Sequence, residues 1–226
     1  MFHDFLDLLY PRLCNCCSEE LVRNEESICT SCLHELPVTN FHLEKENLAL
    51  KIFYGRANIE NAACLLFFYK KGMVQNLIHN LKYRGHQEVG SFLGKWMGSE
   101  LSGVEDFRRT DAVIPVPLHS KKLKSRGFNQ VEGFARELAA SLNAEYVDDV
   151  LLKKTNTGTQ TIKKRLARWG SIEETFVLEN SEKLRNKHIL LVDDLLTTGA
   201  TLEACAHRLE KIEGISISIA TMAITA

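Results

Sequence analysis

The chain has 226 residues, of which 45% are hydrophobic and 25% are charged, and its formal net charge is −1. These values are ordinary for a soluble globular protein and by themselves indicate no particular partner. The length predicts one main domain and a smaller accessory piece. No stretch approaches the roughly 18 uninterrupted apolar residues of a membrane span, and the first residues lack a signal peptide's basic segment. We therefore expect a cytoplasmic protein, with a peripheral position at the inner face of the membrane left open.

The N-terminal part of the chain is rich in cysteine. Cys14 and Cys17 form one C-x-x-C pair, Cys29 and Cys32 form a second, and eleven residues separate the two pairs. Two such pairs close a tetrahedral zinc site. Four thiolates leave no open position for water, so the predicted zinc is structural.

Other residues near this site leave alternatives open. Cys16 is an additional thiol inside the first pair, and His34 or His42 would be a replacement ligand. We favour the two outer pairs because they share one spacing. Cys64 and Cys205 lie in apolar or helical surroundings and are predicted core residues.

The next part of the chain predicts a hairpin and two helices. Residues 52–70 contain two apolar runs, of which the second predicts the stronger strand. Residues 73–83 and 88–101 both have helical spacing, and Gly85 separates them. A short amphipathic helix is also predicted ahead of the cysteines, over 2–9.

From residue 112 onward, strands and helices alternate. The predicted strands are 112–114, 144–152, 176–178, 189–192 and 215–224, and the predicted helices begin near 131 and 201. Alternation of this kind predicts an α/β fold with a doubly wound, mostly parallel sheet and a ligand crevice at the carboxyl ends of the strands. We expect a zinc-binding subdomain over 1–50 and the α/β domain over 51–226.

Two segments of the α/β part are strongly basic. Residues 119–126 and 153–168 hold ten Lys and Arg and no acid, which leaves 18 basic against 29 acidic residues elsewhere. Basic segments on an acidic body favour an anionic ligand, although solvated charged loops have the same composition.

The segment HILLVDDLLTTGAT, residues 188–201, carries the most specific signal. An apolar strand leads into Asp193 and Asp194, and loop 197–201 then enters a predicted helix. Backbone N–H groups and hydroxyls at such a helix start favour a phosphate, and Gly199 permits a close approach of the backbone. The carboxylates suit sugar hydroxyls, or a metal that bridges to phosphates. The segment therefore predicts a site for a phosphorylated sugar.

Two other protein classes have similar residues. A Walker B segment is also an apolar strand that ends in aspartate, but the chain has no G-x-x-x-x-G-K-[ST] motif. Receiver domains also have an acidic pocket, but their acids come from separate strands and no threonine-rich turn follows.

The segment resembles the phosphoribosyl pyrophosphate (PRPP) signature of type I phosphoribosyltransferases. The wider chain resembles the ComF competence-protein family, amidophosphoribosyltransferase-like proteins with an N-terminal zinc knuckle. The resemblance rests on the cysteine pairs and on four short segments: LKYRG (81–85), IPVPLH (114–119), RGFNQ (126–130) and TQTIKKRLARW (159–169).

The resemblance implies roles for individual residues. Asp193 and Asp194 would be the catalytic pair and would bind the ribose hydroxyls. The 5′-phosphate would lie in the loop formed by Thr197, Thr198, Gly199, Ala200 and Thr201. The pyrophosphate, with Mg²⁺, would meet the segment 116–121, which includes Leu118, His119 and Lys121. A mobile hood within 153–170 would cover the site. The basic residues assigned to this hood and to the segment 119–126 are Lys124, Arg126, Lys163, Lys164, Arg165 and Arg168.

The resemblance also implies a PRPP-binding, phosphoribosyltransferase-like protein that acts in DNA uptake during natural transformation. The implied partners are PRPP, single-stranded DNA and the uptake machinery, with Trp169 as a stacking residue. Retention of transferase activity and the acceptor are left open. The alternative is an active phosphoribosyltransferase of nucleotide or salvage metabolism that has no role with DNA.

Overall fold

The computed structural model describes residues 11–153 and 176–225. Seven strands are present in these ranges: β1 (Asn61–Phe68), β2 (Ala112–Pro115), β3 (Glu145–Tyr146), β4 (Leu151–Lys153), β5 (Phe176–Leu178), β6 (His188–Leu196) and β7 (Ser216–Thr225). Five of them form one sheet in the order β1-β7-β6-β2-β3, and all neighbouring strands in it run parallel. β4 and β5 form a separate antiparallel pair.

Helices cover both faces of the sheet. They are α1 (Thr30–Glu35), α2 (Leu48–Lys51), α3 (Met73–Tyr83), α4 (Gln87–Ser102), α5 (Glu105–Arg108), α6 (Ser120–Arg126), α7 (Glu132–Leu142) and α8 (Ala200–Leu209). α3, α4 and α7 bury their apolar sides in one core layer, and α2 and α8 bury theirs in the other. The doubly wound, mostly parallel α/β fold predicted from the sequence is therefore confirmed.

The central strands are apolar because both of their faces are covered. Ile189 through Val192 have no exposed surface in β6. On one face, α4 and α7 approach closely at small residues. A Cβ atom added to Gly94 would lie 2.8 Å from the Phe134 carbonyl oxygen, and one added to Gly98 would lie 2.3 Å from Ser141 Oγ. These glycines set the close packing of the two helices.

The predicted helices over 73–83 and 88–101 are confirmed, but the predicted hairpin over 52–70 is wrong. Its first half, which follows the end of α2, consists of turns and loop, and only β1 is a strand. β1 pairs parallel with β7, from the other end of the chain, so its partner is not a sequence neighbour. The predicted strand 144–152 is also divided, since β3 joins the main sheet and β4 joins β5.

The N-terminal segment packs closely against the sheet. The backbone N–H of Thr39 donates to the Leu65 carbonyl at 3.0 Å, and that of Phe67 donates to Pro37 at 2.8 Å. The chain before α2 therefore shields the open edge of β1. The predicted helix over 2–9 lies outside the described residues. Within the described ranges, no helix has both the length and the apolar character needed to cross a membrane.

Candidate functional site

The two C-x-x-C pairs meet in space. The Sγ atoms of Cys14, Cys17, Cys29 and Cys32 all lie within 4.8 Å of one another. Those of Cys17 and Cys29 are 3.8 Å apart. A tetrahedral zinc ion with Zn–S bonds of about 2.3 Å would place its sulfur ligands about 3.8 Å apart. The four thiols therefore fit one metal ion.

Backbone N–H groups point at one of these sulfur atoms. Cys29 N lies 3.2 Å and Cys16 N lies 3.4 Å from Cys14 Sγ. Burial raises the pKa of the Cys14 thiol, but bonds from the backbone of Cys17, Cys29 and Cys16 outweigh that effect and lower it to about 7. These donors favour the thiolate, which is the form that binds metal.

The alternative ligands are not members of this group of four sulfur atoms. The Cys16 side chain is buried in the core, and burial raises its pKa to about 12. His42 Nε2 lies 3.4 Å from Glu100 Oε2, and His34 is exposed on α1. The predicted core positions of Cys64 and Cys205 are confirmed, since both are buried.

The two acids lie within β6, not beyond its end. The strand continues to Leu196 because its pairing with β7 continues, with Asp193 opposite Thr221 and Leu195 opposite Ala223. The predicted end of the strand at Val192 is therefore corrected. Adjacent residues of a strand point to opposite faces of the sheet, so the two carboxylates have different surroundings.

Asp194 is buried and bonded by two side chains. Lys82 Nζ lies 2.7 Å from its Oδ1, and Gln130 Nε2 donates to its Oδ2 at 2.6 Å. Gln130 Oε1 in turn accepts from Arg126 at 2.6 Å. A buried charge with a donor on each oxygen is well compensated.

Asp193 is partly exposed and accepts fewer hydrogen bonds than Asp194. Its Oδ1 accepts only from the backbone N–H of Asp194, at 2.8 Å, among the bonds found for the described residues. Burial, followed by the charge of Asp194, raises the pKa of Asp193 to about 7. The ammonium groups of Lys82 and Lys153 lower the pKa of Asp193, but by less than burial and Asp194 raise it.

The loop after β6 contains a glycine in the left-handed conformation directly before α8. Gly199 has φ +75° and caps the start of α8, while Thr197 and Thr198 are exposed before it. A Cβ atom on Gly199 would lie 2.7 Å from Ile52 Cγ2 and 3.1 Å from Phe53 Cε1. Both the backbone conformation and the packing therefore require glycine here.

Arg56 ties this loop to α8. Its guanidinium donates to the Thr198 carbonyl at 2.8 Å and to the Ile52 carbonyl at 3.1 Å. It also forms an ion pair with Glu203 in the first turn of α8. The loop is thus held from outside by the segment that precedes β1.

The segment after β2 lies beside the acids. Val116 N donates to the Val192 carbonyl at 2.8 Å, and Asn129 Nδ2 donates to the Val116 carbonyl at 3.2 Å. Leu118 and His119 follow as half-buried loop residues, and the His119 carbonyl accepts from the first turn of α6. The predicted loop 116–121 is therefore corrected, because α6 begins within it.

Several predicted residues carry no structural description. The hood residues Lys163, Lys164, Arg165 and Arg168, together with Trp169, lie outside the described residues. The side chain of Lys121 is likewise outside the description. Lys124 is exposed on α6.

Residues 131–224 match the model of the phosphoribosyl transferase domain. Along most of its length the chain resembles the DNA utilization protein YhgH of Escherichia coli O157:H7, at 27% identity over 87% of this chain and 83% of that protein. It also resembles competence protein ComFC of Streptococcus pneumoniae, at 27% identity over 88% and 81% of the two chains. The chain is thus similar to ComF proteins over most of its length, and it has a phosphoribosyltransferase fold.

Other comparisons are more distant. Competence protein F of Haemophilus influenzae is 29% identical over 48% of this chain and 51% of its own. The adenine phosphoribosyltransferase structure from Thermoanaerobacter pseudethanolicus has a TM-score of 0.39 and 16% identity, and the match covers 62% of this chain and 82% of that chain. The fold assignment rests on the sheet topology and the domain match, not on this structure.

Three residues of this ComF-like site were missed by sequence reasoning. Lys82 and Gln130 lie in the LKYRG and RGFNQ segments, which identified the family but were given no role. Arg56 has no signal in the sequence. A basic residue and an amide in these two short segments were the only available hint.

Proposed function

We propose that the chain binds PRPP together with Mg²⁺ and takes part in handling DNA during competence. The loop 197–201 carries this proposal, because Gly199 at φ +75° places exposed threonines and the start of α8 directly after two carboxylates. The 5′-phosphate of PRPP would accept from the loop's N–H and hydroxyl groups. The ribose hydroxyls would donate to the aspartate carboxylates of β6.

The chemistry of such a site is displacement of pyrophosphate by an amine or base acceptor. The new bond forms at the anomeric carbon of ribose while its bond to pyrophosphate breaks, and negative charge develops on the leaving group. Mg²⁺ would neutralise part of that charge beside the segment 116–121. Cationic side chains around the site assist, and no nucleophile from the protein is needed.

We also propose that the cysteine cluster holds one structural zinc ion. The 3.8 Å spacing of two sulfur atoms and the four-thiolate set fit a tetrahedral zinc site. All seven cysteines are free thiols, which suits the reducing cytoplasm. The division into a zinc subdomain over 1–50 and a phosphoribosyltransferase-like domain over 51–226 is part of the same proposal.

Calorimetric titration with PRPP and Mg²⁺ tests the binding. Thr198→Val removes one exposed hydroxyl from the loop, and we expect a loss of affinity of about tenfold to a hundredfold, since a hydrogen bond to a charged group contributes about 1.5–3 kcal/mol. Ser99→Ala, an exposed hydroxyl on α4, is the control and should bind like the wild type. Absence of PRPP binding by the wild type would reject the proposal.

Single-stranded DNA is the second proposed ligand. Two relatives are named for DNA utilization and competence, and the exposed helix α6 carries Lys122, Lys124 and Arg126 without an acid. We expect weak binding that is tolerant of sequence and falls steeply with salt. An oligonucleotide titration at two salt concentrations, with and without PRPP and Mg²⁺, should show competition. Release of pyrophosphate with an acceptor, but no DNA binding at low salt, would favour the metabolic alternative.

A further inference from the structure

The two donors to Asp194 come from one face of the sheet, one from α3 and the other from the residues just before α7. Lys82 lies in α3, at 2.7 Å from Oδ1, and Gln130 lies just before α7, at 2.6 Å from Oδ2. Asp194 is 5% exposed and Gln130 is 6% exposed. Both carboxylate oxygens therefore have a side-chain donor, and the Gln130 donor is itself shielded from water.

The orientation of the Gln130 amide is also determined. Its Oε1 accepts from Arg126, so its N–H group must face Asp194. The Arg126 guanidinium lies 5.2 Å from the ring centre of Tyr83, which follows Lys82 in the chain. The contacts thus form a closed ring that runs through three separate segments of the sequence.

We propose that Lys82 and Gln130 are positioning residues of the PRPP site. By holding Asp194 in one orientation, they leave the partly exposed Asp193 as the acid that contacts the sugar. This inference rests on the proposed function. Without Lys82, the buried carboxylate of Asp194 would remain uncompensated beside Asp193, and β6 would be disturbed three residues before the phosphate loop.

The alternative is an ion pair that only stabilises the fold. The two roles differ in ligand binding, so PRPP affinity and thermal stability must be measured on the same variants. Lys82→Met removes the charge and retains most of the packing, Lys82→Arg retains the charge, and Gln130→Met removes the amide while leaving the ion pair intact. Lys95→Met, on the exposed face of α4, is the matched control.

We expect Lys82→Met and Gln130→Met to weaken PRPP–Mg²⁺ binding by about tenfold or more, as loss of supporting partners does in metal sites. Lys82→Arg should recover most of the affinity, and Lys95→Met should bind like the wild type. The double variant Lys82→Met with Asp194→Asn should bind PRPP no more weakly than the single variant that binds it more weakly. The two changes act on one group, so their effects on affinity should not add.

The outcomes separate the two proposals. If the wild type does not bind PRPP, the proposed function fails and this inference fails with it. If the wild type binds, and folded Lys82→Met and Gln130→Met bind equally well, the positioning role is overturned while PRPP binding stands. If Lys82→Met does not fold, Gln130→Met and the charge-neutral double variant decide the question in the same assay.

Discussion

The cysteine cluster and the acid pair on β6 are both compact groups of ionisable side chains, but they are assembled differently. The four sulfur ligands come from one short segment, residues 14–32. Asp194 instead takes its partners from Lys82 and from Gln130, which lies 64 positions away in the chain. The first site is therefore built by local turns, whereas the second exists only once the sheet and its helices have formed.

Loss of the metal should have the largest effect. Cys17 is exposed, so Cys17→Ser removes a ligand without leaving a cavity in the core. We expect loss of about one equivalent of zinc and a large fall in stability, because structural zinc in small domains contributes about 10–16 kcal/mol of apparent binding free energy. Elemental analysis and thermal unfolding provide the measurement.

The neighbouring thiol provides the control for this prediction. Cys16 is buried and lies outside the cluster, so Cys16→Ala should lower stability through lost packing but keep the metal. A protein that retains its zinc after Cys17→Ser, or loses it after Cys16→Ala, would contradict the ligand assignment.

The contrast between the two sites also explains how far the sequence was informative. Spacing alone was enough to find the cysteine cluster, and the β6 signature placed a loop with Gly199 directly before α8, because each is a continuous segment. Buried apolar runs predicted most of β2, β6 and β7. The pairing of β1 with β7 was not predictable, since it depends on segments at opposite ends of the described chain.

The partners of the acids were missed for the same reason. Nothing in the sequence near Lys82 or Gln130 indicates a carboxylate, and the contact is created by the packing of α3 and α7 on one face of the sheet. The extension of β6 past its acids was also missed. Charged residues inside a central strand contradict the usual pattern, and here Lys82 and Gln130 make the burial of Asp194 tolerable.

Asp193 should make stability depend on pH. Its pKa is raised from 3.8 to about 7, first by burial and then by Asp194. The folded state therefore holds the proton more tightly than the unfolded state, so stability falls as pH rises from about 4 to about 7. Asp193→Asn should remove this slope and increase stability at pH 8 by at most roughly 4 kcal/mol, at about 1.36 kcal/mol for each pKa unit.

Denaturant unfolding at pH 5 and pH 8 measures this effect. Asp149 is the control, because the Lys183 ammonium lowers its pKa and it titrates below this range. Asp149→Asn should therefore keep the pH slope of the wild type. Equal slopes in the wild type and Asp193→Asn would show that ionised Asp193 is not destabilising.

Gly199 tests whether the phosphate loop can change without changing the fold. A bulky residue at position 199 would block the close approach of the backbone to a phosphate, and it would also disturb the fold, because even a Cβ atom would lie 2.7 Å from Ile52 Cγ2. We expect Gly199→Ala to lower the free energy of unfolding by about 1–3 kcal/mol. Gly85→Ala, with φ +78° and no neighbour within 4 Å, should cost less and isolates the backbone contribution.

The smallest effect is expected where the two regions meet, on α3. Asn80 Nδ2 donates to the backbone carbonyl of Asn15 at 3.1 Å and to its Oδ1 at 3.2 Å, and Asn76 donates to the Cys16 carbonyl at 2.7 Å. Two residues after Asn80, the same helix carries Lys82, which holds Asp194. The turn that carries Cys14 and Cys17 is therefore bonded to the helix that carries Lys82.

Asn80→Ala should loosen that turn at a cost of about 1–2 kcal/mol, because the buried Asn15 loses its donor. We expect faster release of zinc to a chelator and a loss of PRPP affinity of no more than about threefold, since the contact between Lys82 and Asp194 remains. Gln87→Ala, an exposed amide at the start of α4, should change neither value. If zinc release is unchanged, α3 does not support the cysteine cluster. If PRPP affinity falls as far as in Lys82→Met, the two regions are one cooperative unit and their separation into local and assembled sites is wrong.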